Sequence, residues 1–89
     1  MMRYRKKPVV VEAIQFQGDG KNTEKVLDFI GEGVAVLSPC GCSLRIDTLE
    51  GRMIALPGHW IIRGVAGEIY PCKPEIFAAT YEPAEDSDG

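Results

Sequence analysis

After position 33, apolar and polar residues alternate with a period of two, and glycine or proline interrupts the pattern every seven to ten residues. This pattern predicts short antiparallel strands joined by tight turns. The expected strands are VAVLS (34–38), SLRIDTL (43–49), RMIAL (52–56), HWIIRGV (59–65) and EIYPC (68–72). The connections between them are short enough for hairpins, so we expect a meander.

One more strand is predicted before this region. The segment PVVVEAIQF (8–16) is rich in β-branched residues, and its bulkier face, which includes Glu12 and Phe16, should point into the core. A carboxylate among apolar neighbours must be paired, protonated or placed at the sheet margin. We therefore expect Glu12 to form a structural ion pair with Arg45 or Arg63.

Helical spacing is confined to two places. The segment TEKVLDFI (23–30) predicts a two-turn helix with Asn22 as its N-cap and Gly31 at its end. Pro74 could start one helical turn over 74–77, and residues 78–81 could then pair as a short strand. The expected fold is α+β: a small, curved, mostly antiparallel sheet of about six strands, a meander or a partly open barrel, with one short helix after strand 1.

Length and charge change this picture in three ways. A chain of 89 residues forms one domain with a small core, which favours a homo-oligomer. The compact domain is expected over 1–81 and an acidic disordered tail over 82–89. The net charge of the whole chain is −3 and includes the four negative charges of this tail, while a basic leader, MMRYRKK, opens the sequence. Since no basic stripe follows the leader, nucleic acid is not an expected partner.

The sequence also bears on location and redox state. No apolar run is long enough for a membrane span, and no secretory signal follows the basic leader, so we expect no membrane partner and a cytoplasmic location. Three cysteines, an odd number, suit a reducing compartment and are expected as thiols. Cys40, Cys42, Cys72 and His59 could supply four zinc ligands, but a single C-x-C pair is a weak signal. No metal or other cofactor is expected.

The segment PGHWIIRGVAGEIYPCKPEIF (57–77) holds the residues with the most chemistry. Trp60 should begin a central strand, as a core residue, as an aromatic wall of a ligand pocket or as an oligomer contact. Pro71 should place Tyr70 on an edge strand. His59 follows a Pro-Gly corner with no nucleophile or carboxylate at a useful spacing, so no catalytic residue is assigned. The binding residues we expect are Trp60, Arg63, Tyr70 and Lys73.

Three segments carry a recognisable pattern: RYRKKPVVVEAIQF (3–16), TLEGRMIALPGHWIIRGVAGEIYPCKPEIF (48–77) and AATYEP (78–83). With these segments the chain resembles a family of small phage and prophage proteins of unknown function. The resemblance implies a phage or prophage origin and a place in the cytoplasm of the bacterial host, but no reaction and no ligand. In the family the corner more often reads Pro-Gly-Asp-Trp, which implies that His59 is a turn residue.

Together these observations predict a non-catalytic phage accessory protein. It would be an oligomeric binding module for a small anionic ligand, such as a nucleotide, or for a host protein, and by analogy it could counter host defence. One alternative is a small hydrolase or metal-dependent enzyme that uses His59 or Glu12. Another is a minor virion structural or assembly protein.

Overall fold

The computed structural model describes residues 10–31 and 33–82. Its elements are β1 (Glu12–Gln15), α1 (Gly20–Ile30), β2 (Ala35–Leu37), β3 (Leu44–Thr48), β4 (Gly51–Ala55), β5 (Trp60–Arg63), β6 (Ile69–Cys72) and α2 (Pro74–Thr80). Within these residues the strands form two three-stranded antiparallel sheets, and neither closes into a barrel. The predicted α+β class, its six antiparallel strands and the helix after the first strand are confirmed.

The first sheet has the strand order β1-β5-β6. Its central strand, β5, pairs Arg63 with Glu12 on one side and Ile62 with Tyr70 on the other. A central strand is buried on both faces, which explains the consecutive isoleucines of β5. Pro71 lies in β6 at the sheet edge, where its missing N–H costs no ladder hydrogen bond.

The second sheet is the meander β2-β3-β4, and it ends at a corner rather than at another hairpin. The expected hairpin at Pro57-Gly58 is wrong, because β4 and β5 belong to different sheets. The corner binds the end of β1 instead: Gly58 donates its N–H to the Phe16 carbonyl oxygen at 2.7 Å, and Phe16 donates to the His59 carbonyl oxygen at 2.9 Å. These bonds turn the chain from the second sheet into the first.

The corner is also packed tightly against the loop after β1. Gly18 has a φ of +85°, a conformation that L side chains rarely adopt. A Cβ at Gly18 would lie 3.1 Å from Cγ of Pro57. Glycine at this position therefore allows both the turn and the close approach.

The core lies between the sheets and receives side chains from both of them and from α1. Its buried members are Phe16, Val26, Ile30, Leu44, Ile46, Ala55, Ile61 and Ile69. The predicted inward face of β1 is right for Phe16 and for the half-buried Ile14. It is wrong for Glu12, which is exposed at the sheet margin, because a charged group at a margin keeps its water.

Helix α1 begins earlier than predicted, at Gly20. Its N-cap is Asp19, whose carboxylate accepts the Asn22 N–H at 2.7 Å, so the prediction of Asn22 as N-cap is wrong. The Asn22 side chain accepts the Gln17 N–H at 2.6 Å and donates to the Gln15 carbonyl oxygen at 2.8 Å. Asn22 thus ties the helix to the end of β1, while Val26 and Ile30 bury its inner face.

Helix α2 is longer than the single turn predicted and includes residues expected to form a strand. Pro74 occupies its first turn, where a missing N–H is tolerated. Phe77 and Tyr81 lie four positions apart and therefore share one side of the helical turn. Their rings pack together with centroids 5.2 Å apart, and the Tyr81 N–H bonds to the Phe77 carbonyl oxygen. This contact favours helix over strand.

The basic leader and most of the acidic tail, residues 1–9 and 83–89, lie outside the described residues. No helix among the residues that the structure describes is long and apolar enough to cross a bilayer.

Candidate functional site

Two of the four predicted binding residues belong to one aromatic cluster. Trp60 on β5 stacks on Phe77 of α2, with ring centroids 4.2 Å apart and an interplanar angle of 7°. Tyr70 on β6 contacts the residue that directly follows the same helix: its hydroxyl lies 3.3 Å from the hydroxyl of Tyr81. Trp60 therefore fixes α2 on the outer face of the first sheet, a structural role of the kind that stacked aromatic pairs perform.

The hydroxyl contact alters the acidity of one tyrosine. The hydrogen bond to Tyr81, together with partial burial, raises the pKa of Tyr70 to about 12. Both causes favour the neutral phenol. Tyr70 is therefore a hydrogen-bond partner at neutral pH rather than an acid or base.

Arg63 lies on the opposite face of the first sheet. Its Nη1 is 2.6 Å from Oε1 of Glu12, and its Nη2 donates to the Phe29 carbonyl oxygen. The guanidinium carbon is also 4.4 Å from the centroid of the Phe29 ring. The partner of Glu12 is therefore Arg63, which is one of the two arginines predicted from the sequence. This arginine joins β5, β1 and α1.

Lys73 is exposed and directly precedes α2 as its N-cap residue. The fold thus brings Trp60 and Tyr70 together, places Lys73 at the end of the same strand as Tyr70, and puts Arg63 on the other face. Binding by these four residues stays a prediction, since Trp60 and Tyr70 lie on one face of the first sheet and Arg63 lies on the other.

His59 has a structural contact of its own. Its Nδ1 accepts the N–H of Leu56 at 3.2 Å within the corner that links the two sheets. This bond occupies one ring nitrogen with a backbone donor, as expected for a turn residue. The enzyme alternative based on His59 or Glu12 gains no support from these contacts.

The cysteines differ from the prediction of three thiols. Cys40 and Cys42 form a disulfide in the loop between β2 and β3, whereas Cys72 is a free thiol on β6. The thiol prediction is therefore wrong for the loop pair, because the turn at Gly41 brings the two cysteines within bonding reach. Burial and, to a lesser extent, the charge of Glu75 raise the pKa of the Cys72 thiol.

Cys40, Cys42, Cys72 and His59 are the residues that could supply zinc ligands according to the sequence. No group of three or more histidine, cysteine, aspartate or glutamate side chains is close enough to hold a metal ion within residues 10–31 and 33–82. The two loop cysteines bond to each other instead.

A cleft of about 400 Å³ opens between the β3–β4 turn and β6. Thr48, Glu50, Glu68 and Tyr70 contribute its polar side chains, and Leu49 and Met53 are among its apolar ones. Two carboxylates at its wall make the cleft unsuited to an anion.

The outer face of the second sheet was not assigned a role from the sequence. Val36, Arg45 and Ile54 lie side by side across β2, β3 and β4, with their neighbours Leu44 and Ile46 buried on the opposite face. The sequence of β4 does indicate a second apolar face, because RMIAL has apolar residues at neighbouring positions and these point to opposite faces of the strand. Only the structure shows that no element among the described residues covers the second face.

Comparison of the chain with models of protein families, with curated proteins and with solved structures finds no match in any of the three. The resemblance to phage proteins stays a prediction.

Proposed function

We propose that the protein is a non-catalytic binding protein that works as a homo-oligomer and holds a small anion at the seam between two copies. The observation that carries this proposal is the outer face of the second sheet, named the bare face below and defined by Val36, Arg45 and Ile54. Val36 and Ile54 are each 51% exposed.

The bare face has the composition of a protein interface. Its apolar side chains, Val36 and Ile54, flank Arg45 on a regular sheet surface, and exposed apolar residues grouped on one face of a small protein mark a contact surface. Arginine among apolar residues is enriched at such surfaces, where its long stem packs and its head makes polar contacts. A second copy is the occupant that a small chain with a limited core most readily supplies.

Arg45 gives this seam its chemistry. Its Nε is buried and has no hydrogen-bond partner among the described residues. The two ion pairs found there use the other arginines of the two sheets, Arg52 with Asp47 and Arg63 with Glu12. Arg45 is thus a cation without a carboxylate in the part of the chain that the structure describes.

Symmetry then supports an anion. In a two-fold interface the same patch meets itself, so a residue at the centre of the patch comes close to its own copy. Arg45 lies on the middle strand with Val36 and Ile54 on either side. Two guanidinium groups brought together and partly desolvated repel each other unless an anion lies between them. The anionic ligand expected from the sequence therefore has a better partner in Arg45 than in Arg63, which is engaged within the fold.

The first experiment measures mass by light scattering across a range of protein and phosphate concentrations. Wild type should be a dimer whose formation strengthens with added anion, and Ile54→Asp should be a monomer because a carboxylate is then desolvated in the seam. Ile76→Asp is the matched control, since Ile76 is 52% exposed on α2, away from the bare face. A wild type that stays monomeric at every anion concentration refutes the proposal.

The second experiment distinguishes anion binding from dimer formation. Thermal unfolding is followed with inorganic phosphate and with linear and cyclic nucleotides, which the implied phage origin makes the first organic anions to test. Wild type should gain stability with anion, Arg45→Met should dimerise without any anion response, and Arg52→Met should respond like wild type. An unchanged response in Arg45→Met shows that the anion binds elsewhere.

A further inference from the structure

We propose that Cys40 and Cys42 form a redox-active pair that undergoes stoichiometric thiol–disulfide exchange with dithiols, with Cys42 as the sulfur attacked and Cys40 as the leaving thiolate. The inference is independent of the proposed anion binding. It concerns the loop that joins β2 and β3, at the end of the second sheet.

The loop is open to a reactant. Cys40 and Cys42 are both exposed, and Gly41 between them has a φ of +74° with open space where a Cβ would be. The disulfide is therefore accessible to a thiolate from solvent. Exposed disulfides are the ones that exchange most readily.

The disulfide is not needed to hold the hairpin. Ser38 donates its N–H to the Ser43 carbonyl oxygen at 3.0 Å, and Gly41 donates to the Ser38 carbonyl oxygen at 2.9 Å. Only one residue separates the two cysteines, and a cross-link over so short a segment removes little freedom from the unfolded chain. Reduction should therefore leave the fold intact, as a reversible role requires.

Hydrogen bonds distinguish the two sulfurs. Sγ of Cys40 accepts the N–H of Cys42 at 3.3 Å and lies 3.3 Å from the hydroxyl of Ser38. A disulfide sulfur carries no proton, so the hydroxyl is the donor, and its oxygen in turn accepts the Ser43 N–H at 3.1 Å. The sulfur of Cys42 is farther from the same hydroxyl, at 4.0 Å. Two donors on Cys40 stabilise negative charge there, which makes it the better leaving group.

The exchange takes place in two steps. A thiolate of the dithiol forms a bond to Sγ of Cys42, the Cys40–Cys42 bond breaks, and the electron pair stays on Sγ of Cys40, which then takes a proton from solvent. The second thiolate of the same dithiol attacks its partner sulfur in the mixed disulfide and releases Cys42 as a thiolate. The dithiol loses two electrons and becomes a disulfide, while the protein gains them as two thiols.

The test uses the purified, oxidised full chain. Glutathione is added at neutral pH, the mixture is quenched with acid, and free thiols are alkylated before mass mapping. We expect a transient adduct on Cys42 with Cys40 free, and complete reduction by dithiothreitol with an unchanged circular dichroism spectrum. An adduct on Cys40, or a disulfide that resists dithiothreitol until denaturant is added, overturns the proposal.

A pair of serine variants tests the assignment of the leaving group. Ser38→Ala should slow the first exchange step about threefold, because the leaving thiolate of Cys40 loses one of its two hydrogen-bond donors. Ser43→Ala is the control, because Ser43 contributes its backbone N–H and carbonyl to these contacts. Equal rates in the two variants would overturn the role of Cys40. Both variants are checked for the wild-type circular dichroism spectrum, and Cys40→Ser should form a stable adduct with oxidised glutathione at Cys42.

Discussion

The two sheets are built from the same kind of strand but differ in what covers their outer faces. The first sheet carries α2, which stacks Phe77 on Trp60, and Ile62 on the same face of β5 is fully buried. On the second sheet, Val36 and Ile54 are half exposed at equivalent outward positions. Apolar residues on an outer face thus indicate a partner, which one sheet finds in its own chain and the other, by our proposal, in a second copy.

The largest expected effect on stability is the difference between a substitution in the core and one on the bare face. Ile61→Ala should lower the free energy of unfolding by about 3 kcal/mol, because it leaves a cavity in the packed core. Ile54→Ala should change it by less than about 0.5 kcal/mol when measured below the concentration of self-association. Urea unfolding of both variants checks this, and equal losses would mean that the bare face is packed within one copy.

The next largest effect on stability is expected when the contact between α2 and the first sheet is removed. Phe77→Ala deletes the ring that stacks on Trp60, which should cost about 2 kcal/mol and expose the indole. Tryptophan fluorescence should shift to longer wavelength, since Trp60 is the single tryptophan of the chain. Ile76→Ala, on the exposed side of α2, should leave both stability and fluorescence near wild type.

A smaller effect is expected from the arginine of the first sheet. Arg63→Lys keeps the charge but loses the fork that reaches both Glu12 and the Phe29 carbonyl oxygen, which should cost about 1 kcal/mol. The matched change Arg52→Lys in the second sheet should cost less than about 0.5 kcal/mol, because that pair is exposed. Anion binding measured by thermal shift should survive Arg63→Lys if Arg45 is the anion-binding residue.

The smallest effect at neutral pH concerns the tyrosine pair. The pKa of Tyr70 is raised to about 12 in the folded protein, above its ordinary value of 10.0, so the folded state binds more protons than the unfolded state between these values. The associated stability is complete below pH 10 and is lost as pH rises toward 12. Tyr81→Phe should lower the Tyr70 pKa and weaken this loss, as followed by tyrosinate absorbance and by unfolding at each pH. An unchanged titration would mean that the two hydroxyls do not bond in solution.

Several features of the first sheet were predictable because they depend on neighbouring residues. Two consecutive isoleucines indicate a strand buried on both faces, and Pro71 indicates an edge; the structure confirms both for β5 and β6. The ion pair of Glu12 could be narrowed to two arginines but not to one. The choice depends on β1 pairing with β5, which are separated by more than forty residues.

The candidate sites show the same division. The Pro-Gly corner looked like a hairpin because its local signal is that of a tight turn, and its role as a junction depends on hydrogen bonds to Phe16. The Cys40–Cys42 disulfide was missed because cysteine count and compartment favour thiols, whereas the bond depends on the loop geometry around Gly41. For Arg45, the sequence predicts only a possible ion pair with Glu12.

The sequence by itself determined the elements: period-two alternation with glycine and proline at the turns specifies short strands, and helical spacing specifies α1, because these patterns act through neighbours along the chain. The tertiary structure decided the division into two sheets, the inward and outward assignment of each face, and the length of α2. These features depend on how much apolar surface is buried when distant segments of the chain pack together. A local sequence pattern carries no information about those long-range contacts.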